Sequence, residues 1–364
     1  MRLCLNMIVR NEAAVIERCI GSMLPHIQCW AIVDTGSEDA TQALIRRLLG
    51  ELPGELIERP WVDFSTNRNQ ALDLARGYGD YALVIDADDV LEVAAGRSFA
   101  GLDRPGYAIE IVDVTSTYWR DALLRLDVDW AWRGVVHEHP ACSRMDEVPR
   151  LGGLRIRRIG GGARSQAGLR EKYLRDAELL RAGLAAEPGN TRYAFYLAQS
   201  LRDAGQFEDA LVAYQRRAEL AGWEDEVFFS KYCIALIKQR LGYAFDDVKA
   251  AYIAAWQLQP HRAEPVCYLA GYLLEQQRYE EARDYARIAC ATPLPAQGLQ
   301  VNRSTYAWRP LSALAGALFA LKEYEGCLET CRKMLADPSL PADERVRVEQ
   351  NIVAVTTALA SASR

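Results

Sequence analysis

Three carboxylates stand within four positions in Ile85-Asp86-Ala87-Asp88-Asp89, directly after the apolar run Tyr81-Ala82-Leu83-Val84. A buried strand ends there in acid, and unpaired charge is too costly for a core. The carboxyl edge of a parallel sheet is where open α/β folds hold their ligands. Asp-x-Asp at such an edge offers hard oxygen ligands to Mg2+ or Mn2+. The same residues also suit a solvated turn. Two more polar clusters follow apolar runs: Arg10-Asn11-Glu12 after residues 3–9, and Asp34-Thr35-Gly36-Ser37 after Trp30-Ala31-Ile32-Val33. Asp34 can accept hydrogen bonds from a base or ribose, and Gly36 lets a backbone approach a ligand. Asn11, Ser37 and Asp39 have the alternative of capping helices. Arg68-Asn69 offers a cation and an amide near a helix start, a setting suited to diphosphate. Neither Gly-x-x-x-x-Gly-Lys-Ser/Thr nor Gly-x-Gly-x-x-Gly occurs, which argues against an ordinary ATPase or NAD site.

The elements that must position these residues alternate through the first half. Strands are expected at 3–9, 30–33, 56–58 and 81–85, and helices at 12–24, 41–49 and 67–76. That alternation predicts a parallel sheet with right-handed crossovers. Residues 107–114, 122–126 and 134–137 read as strands without long helices between them, forming a mixed sheet at the edge of the first. The Gly- and Arg-rich stretch 150–170 holds one more strand and the domain boundary, its arginines solvated or, on a second reading, one of them near a phosphate. The expected domains are 1–162 and 163–364.

The second half is helical and repeats. Leu197, Ala198, Leu201, Gly205, Ala210 and Tyr214 follow tetratricopeptide spacing, about 34 residues per unit. Leu269, Ala270, Leu273, Ala282, Ala286 and Ala289 repeat it two units later. Ala235, Val248, Tyr252, Ala255 and Pro260 fit the unit between, and Leu314, Ala315, Leu318 and Leu328 begin a fourth. Residues 170–188 lead in and 344–360 close. Such a solenoid buries each helix pair only on its neighbours.

Composition narrows the classes. A net charge of −6 speaks against a general nucleic-acid backbone binder. Nine scattered cysteines without a Cys-x-x-Cys pair read as reduced thiols of a cytoplasmic protein, with Cys327 and Cys331 in a helical core. The opening residues lack the apolar core of a signal peptide, and no run reaches the roughly 18 residues of a membrane span. The expectation is a soluble intracellular protein with no membrane contact.

Leu5-Asn6-Met7-Ile8-Val9-Arg10-Asn11-Glu12, Val33-Asp34-Thr35-Gly36-Ser37-Glu38-Asp39-Ala40-Thr41, Trp61-Val62-Asp63-Phe64-Ser65-Thr66-Asn67-Arg68-Asn69 and Ile85-Asp86-Ala87-Asp88-Asp89, in this order, resemble the opening of the family 2 glycosyltransferases. Trp132-Arg133-Gly134-Val135-Val136-His137-Glu138 resembles a later Gly-x-x-His-Glu element of those enzymes. Tyr196-Leu197-Ala198-Gln199-Ser200 and Pro260-His261-Arg262-Ala263-Glu264-Pro265 resemble segments of bacterial members that carry tetratricopeptide repeats. The resemblance covers almost the whole chain. It implies an α/β GT-A nucleotide-diphosphosugar transferase domain followed by an all-α tetratricopeptide-like solenoid.

It further implies inverting transfer of a sugar from a nucleotide diphosphate, most commonly UDP among relatives, with Mn2+ or Mg2+ as cofactor. On that basis Asp88 is the expected direct metal ligand, and Asp86 a supporting contact through water or the ribose. Val9, Asn11, Glu12, Asp34, Gly36, Arg68, Asn69, Asp86, Ala87 and Asp89 are the expected donor contacts. Inversion needs a base at the acceptor hydroxyl, thiol or amide; Glu138 is the first candidate, with Asp121 and Asp113 as others. One departure stands out: the family's His-x-Gly-Tyr-like element reads Arg158-Ile159-Gly160-Gly161 here. Either His137 becomes the third metal ligand, or Arg158 replaces part of the metal charge, or normal activity is lost. His137 and His139 would share a face of a strand, yet no third soft ligand for zinc is evident. The solenoid favours a peptide or protein acceptor, and repeats also mediate homodimers. The rival readings are a tetratricopeptide binding scaffold with a degenerate catalytic domain, and a transferase acting on a glycan, lipid-linked sugar or nucleic acid.

Overall fold

The computed structural model describes residues 1–113, 117–144, 147–162 and 168–362. The chain divides into two units, Met1–Pro188 with Asp203–Gly205, and Gly189–Arg202 with Gln206–Arg364. The boundary expected at 162/163 abuts residues 163–167, which lie outside the described residues, as does Val114 of the strand expected at 107–114.

The first unit runs β1 (Leu3–Val9), α1 (Ile16–Met23), β2 (Cys29–Asp34), α2 (Thr41–Leu49), β3 (Gly54–Glu58), α3 (Phe64–Ala75), β4 (Tyr81–Val84), β5 (Asp89–Val93), β6 (Gly106–Val112), β7 (Thr117–Arg125), β8 (Ala131–Arg133), β9 (His139–Ala141), β10 (Arg150–Arg158) and α4 (Leu169–Ala186). An eight-stranded sheet has the order β3-β2-β1-β4-β7-β6-β10-β5, and β8 and β9 form a separate antiparallel pair. β1 to β4 are parallel, as the alternation with helices dictates. β7 is antiparallel to β4 and β6, β10 is parallel to β6, and β5 is antiparallel to β10. The later strands therefore continue the first sheet.

Every residue of β2 and β4 is buried, as expected of strands covered on both faces. Leu3, Leu5, Met7 and Val9 pack with Ile16, Ile20 and Met23 of α1 and Ile45 and Leu49 of α2. The opposite face packs Cys4, Ala31, Ala82 and Val84 against Leu72 and Ala75 of α3 and against Trp130 and Trp132. Buried Asn6 pins α3 to the sheet, donating its amide to the carbonyls of Ala71 at 2.7 Å and Ala31 at 3.3 Å. β5 begins five residues after β4 ends, yet lies four strands away in the sheet. Five residues reach about 18 Å, and four strand spacings of a flat sheet take about 19 Å. The Asp89 N–H also closes a turn onto the Asp86 carbonyl at 3.1 Å, so the sheet must curl to bring β5 back.

The helical region comprises α5 (Thr191–Asp203), α6 (Phe207–Glu219), α7 (Glu224–Arg240), α8 (Phe245–Leu258), α9 (Glu264–Glu275), α10 (Tyr279–Ala291), α11 (Trp308–Ala320), α12 (Tyr324–Ala336) and α13 (Ala342–Ala362), with a 3-10 turn at Arg303–Tyr306. Most repeat positions are core: Ala198, Leu201, Ala210, Tyr214, Ala235, Val248, Tyr252, Ala255, Leu269, Ala270, Leu273, Ala282, Ala286, Ala289, Ala315 and Leu318 are buried, whereas Leu197, Leu314 and Leu328 are half-buried and Gly205 and Pro260 exposed. Cys327 and Cys331 are buried as well, and all nine cysteines are free thiols. The turn within each helix pair has one left-handed residue: Gly205, Gly242, Gln277 and Lys322, at φ 78°, 70°, 57° and 62°. The residue after each donates back to the carbonyl five positions earlier, closing the helix end: Gln206 to Leu201, Tyr243 to Lys238, Arg278 to Leu273 and Glu323 to Leu318, at 2.8–3.0 Å. Arg262 is buried and grips Glu264 through Nε at 3.0 Å and Nη2 at 2.9 Å, while the Tyr306 hydroxyl donates to the same carboxylate at 2.6 Å. The Pro260–Pro265 segment is thus a staple inside the repeats.

Candidate active site

Strand direction explains what gathers at one edge of the sheet. The carboxyl ends of β1, β2, β4, β6 and β10 share that edge with the amino ends of the reversed strands β7 and β5. It therefore holds Asn11, Asp34, Asp86, Asp88, Asp89, Asp113, Arg120 and Arg158.

The loops after β1 and β2 are laced together. Asn11, left-handed at φ 55°, donates its N–H to Ser37 Oγ at 2.9 Å and accepts from the Glu38 N–H at 2.8 Å. It does not cap α1, which begins after Val15 without a side-chain cap. The Glu12 N–H donates to Thr41 Oγ1 at 2.8 Å. Asp34 is fully buried, and its Oδ1 accepts from the N–H groups of Gly36 and Ser37 at 2.8 and 2.7 Å. Its Oδ2 is sealed and unpartnered. Gly36, at φ 103°, has open space where a side chain would stand. Val9 and Ala87 are buried, and the Val9 carbonyl already accepts from the Thr35 N–H and hydroxyl at 2.9 and 3.1 Å. Their side chains belong to the core.

Arg68 departs from the expectation of a free cation at a helix start. It lies one turn into α3, whose start is capped by Asp63 accepting from the Thr66 N–H at 2.7 Å. The Arg68 side chain is buried over the Trp132 ring, at 5.0 Å. Its Nε donates to Glu138 Oε1 at 2.7 Å and its Nη2 to Asp86 Oδ1 at 2.6 Å. Asn69 is likewise spent: its amide donates to the Trp132 carbonyl at 3.0 Å, and its carbonyl accepts from the Trp132 N–H at 2.6 Å. Asn69 holds β8 in place, and one of its two amide N–H donors goes to that bond.

The second oxygen of Asp86 accepts from Arg120 Nη1 at 3.2 Å. Burial works against the Asp86 charge, but Arg68 and Arg120 outweigh it and hold the carboxyl well below the usual range. Asp89, one per cent exposed, has the opposite fate. Burial, then the charge of Asp86 and Asp88, pushes it up to about 7 against the pull of Arg120 and Arg158. Asp88 differs from both. Arg18 donates to its backbone carbonyl at 2.9 Å, and among the described residues its carboxylate meets no protein donor. A Cβ at Gly162 would lie 3.0 Å from Asp88 Oδ2 and 2.9 Å from Glu12 Oε2, so two carboxylates converge where only glycine leaves room. Mg2+ and Mn2+ are held by one or two carboxylates together with substrate phosphates, and Asp88 with Glu12 fits that donor set.

His137 is exposed, at φ 54°, in a bend between β8 and β9. The strand expected over 134–137 is absent because Gly134, at φ 104°, and His137 turn the chain, which also removes the shared face of His137 and His139. No group of three His, Cys, Asp or Glu side chains is gathered for a metal among the described residues. Asp86, Asp88 and His137 are therefore not assembled as three protein ligands. Asp121 follows Arg120 in regular register along β7 and points to the opposite face, away from Asp86. Burial alone raises its carboxyl. Arg158 Nη1 lies 3.5 Å from Asp113 Oδ2. The sequence reading missed Arg120, Arg18 and Gly162; Arg120 lies before the strand expected at 122–126 and enters the sheet only because β7 starts at Thr117.

Residues 4–138 match the model of glycosyl transferase family 2, so the first unit carries a family 2 glycosyltransferase domain. A TPR repeat-containing protein of Synechococcus elongatus is 39% identical over 101 residues, 27% of this chain and 24% of the relative. The chain thus spans about a quarter of the length of the curated relative it matches. Among solved structures, a tetratricopeptide repeat protein from Parabacteroides merdae is similar at 15% identity, covering 52% of this chain and 68% of that one, with a TM-score of 0.39. The C-terminal part of a TPR repeat-containing protein from Cytophaga hutchinsonii is similar at 14% identity, covering 55% and 72%, with a TM-score of 0.41. The tetratricopeptide-like character of the second half rests on its own hairpins. No described helix is long and apolar enough to cross a membrane.

Proposed function

We propose that the first unit transfers a sugar from a nucleoside diphosphate, UDP by preference, to an acceptor nucleophile with inversion at the anomeric carbon. The observation that carries this reading is the gathering of Asp34, Asp88 and Arg120 at one sheet edge inside a family 2 domain. Asp34 Oδ2, sealed and unpartnered, suits a base N–H or ribose hydroxyl donor. Asp88 with Glu12 would hold Mn2+ or Mg2+, which supplies positive charge to the departing diphosphate. As the bond from the anomeric carbon to the phosphate oxygen breaks, the acceptor heteroatom bonds to that carbon and gives up its proton. Glu138 is the residue proposed to take it: Oε1 accepts from Arg68, while no donor among the described residues meets Oε2. The acceptor proposed is a polypeptide held by the repeats.

The closure of Asp86 by two arginines favours a second reading, a repeat scaffold whose catalytic domain is degenerate. Thermal melting with nucleoside diphosphates and Mn2+ separates the two. Stabilisation by one of them, with an acceptor gaining the mass of one sugar from the matching donor, is expected. No shift with any nucleotide would favour the scaffold.

A further inference from the structure

Among the described residues, Arg120 is the one guanidinium at this sheet edge with two sealed, unused donors. Its Nη1 is spent on Asp86 Oδ2 at 3.2 Å, whereas Nε and Nη2 are closed off from solvent and have no acceptor. Nε and Nη2 form the side-on fork of a guanidinium, the edge that matches two oxygens of a phosphate or carboxylate. Arg157 and Arg262 use that same edge on Glu92 and Glu264.

A buried donor without an acceptor is costly, and more so on a charged group. Here two such donors are kept, and a relay keeps them aimed. Glu138 holds Arg68, Arg68 holds Asp86, and Asp86 holds Arg120, with bonds of 2.7, 2.6 and 3.2 Å. The two arginines and two carboxylates of this relay cancel in charge. The relay therefore fixes Arg120 without supplying an anion for its open edge. Asp89 does not supply one either: its sealed Oδ2 makes no hydrogen bond, to Arg120 or to any other group.

We propose that the Nε–Nη2 edge of Arg120 is the oxyanion receptor of this site and takes two oxygens of the donor's diphosphate. Asp86 and Arg68 are then positioning residues for that receptor. The inference rests on the nucleotide-sugar reading above and adds to it the residue that meets the phosphate charge.

Calorimetric titration of the full chain with UDP, uridine and inorganic diphosphate, each without divalent metal, tests it. Arg120→Gln is expected to weaken UDP and inorganic diphosphate at least tenfold and to leave uridine within twofold. Arg120→Lys keeps a charge but loses the fork, and is expected to recover only part of that loss. Full-strength UDP binding by either variant would overturn the assignment. So would weakening of uridine as much as of UDP, which would mark Arg120 as structural, for instance as a partner of Asp89. If Arg120→Gln fails to fold, the lysine variant alone decides on the same criterion. A parent that binds inorganic diphosphate through Arg120 but neither UDP nor any other nucleotide would refute the nucleotide-sugar reading and leave the oxyanion receptor standing. A parent that binds neither without metal would refute the oxyanion receptor, and the nucleotide-sugar reading falls with it only if UDP also fails to bind with Mn2+.

Discussion

Asp86, Asp88 and Asp89 sit within four positions and have three different electrostatic lives. Asp86 is neutralised by Arg68 and Arg120, Asp89 is buried near other acids without a donor at its sealed Oδ2, and Asp88 is half-buried with a carboxylate that accepts no hydrogen bond among the described residues. Gly162 makes the space beside Asp88. Gly162→Ala would press a methyl group against Asp88 and Glu12. It is expected to weaken Mn2+-dependent nucleotide binding by roughly tenfold, a loss of about 1.4 kcal/mol; unchanged affinity by titration would count against a cation there. Asp121 gives a test of burial by pH. Its carboxyl is raised in the folded chain, which therefore binds that proton more tightly than the unfolded chain does. Stability from this group is whole below the ordinary carboxylate range and is lost as pH rises through the folded value. Asp121→Asn should match the parent in urea unfolding at acidic pH and exceed it at pH 8. A variant weaker than the parent at pH 8 would show that the charged form is compensated.

At the scale of elements, local sequence rules held where one strong pattern governed. β1 and α2 match the expected bounds residue for residue, and α4 and α13 lie within two residues of theirs. They failed where tertiary pairing decided. β5 went unread because Asp89–Val93 follows an acidic turn and exists only by pairing with β10. Residues 134–137 alternate like a strand, yet two left-handed residues turn the chain. The repeat turns make the reverse point. Two use glycine at the left-handed position, and two force Gln277 and Lys322 into it. A left-handed conformation costs a non-glycine residue about 1–2 kcal/mol. Gln277→Gly should therefore stabilise the chain by about 0.5–1 kcal/mol in denaturant unfolding, since part of the gain is returned to glycine's unfolded entropy. Destabilisation would mean that the Gln277 side chain contributes contacts that outweigh the strain.

For the whole molecule, the two-part design was legible because its two periodicities differ: strand–helix alternation before about residue 160 and a repeat of helix pairs after it. The edge cluster was half legible. Asp34, Asp86 and Asp88 follow apolar runs and announce themselves as strand-end acids. Arg120 does not, because β7 reaches the site by its amino end, and only antiparallel pairing with β4 brings it beside Asp86. The family match supports a donor site in the first unit, and the acceptor is proposed to meet the repeats of the second. The central claim is that Asp88 serves a metal-dependent sugar transfer, and Asp88→Ala tests it most directly. Hydrolysis of UDP-sugars by the full chain is measured with Mn2+ and with chelator, and far-ultraviolet circular dichroism checks that the helices remain. The account predicts Mn2+-dependent turnover in the parent, its loss in chelator, and at least a hundredfold loss in a folded Asp88→Ala chain. Full turnover in the variant, or equal turnover in chelator, would contradict it.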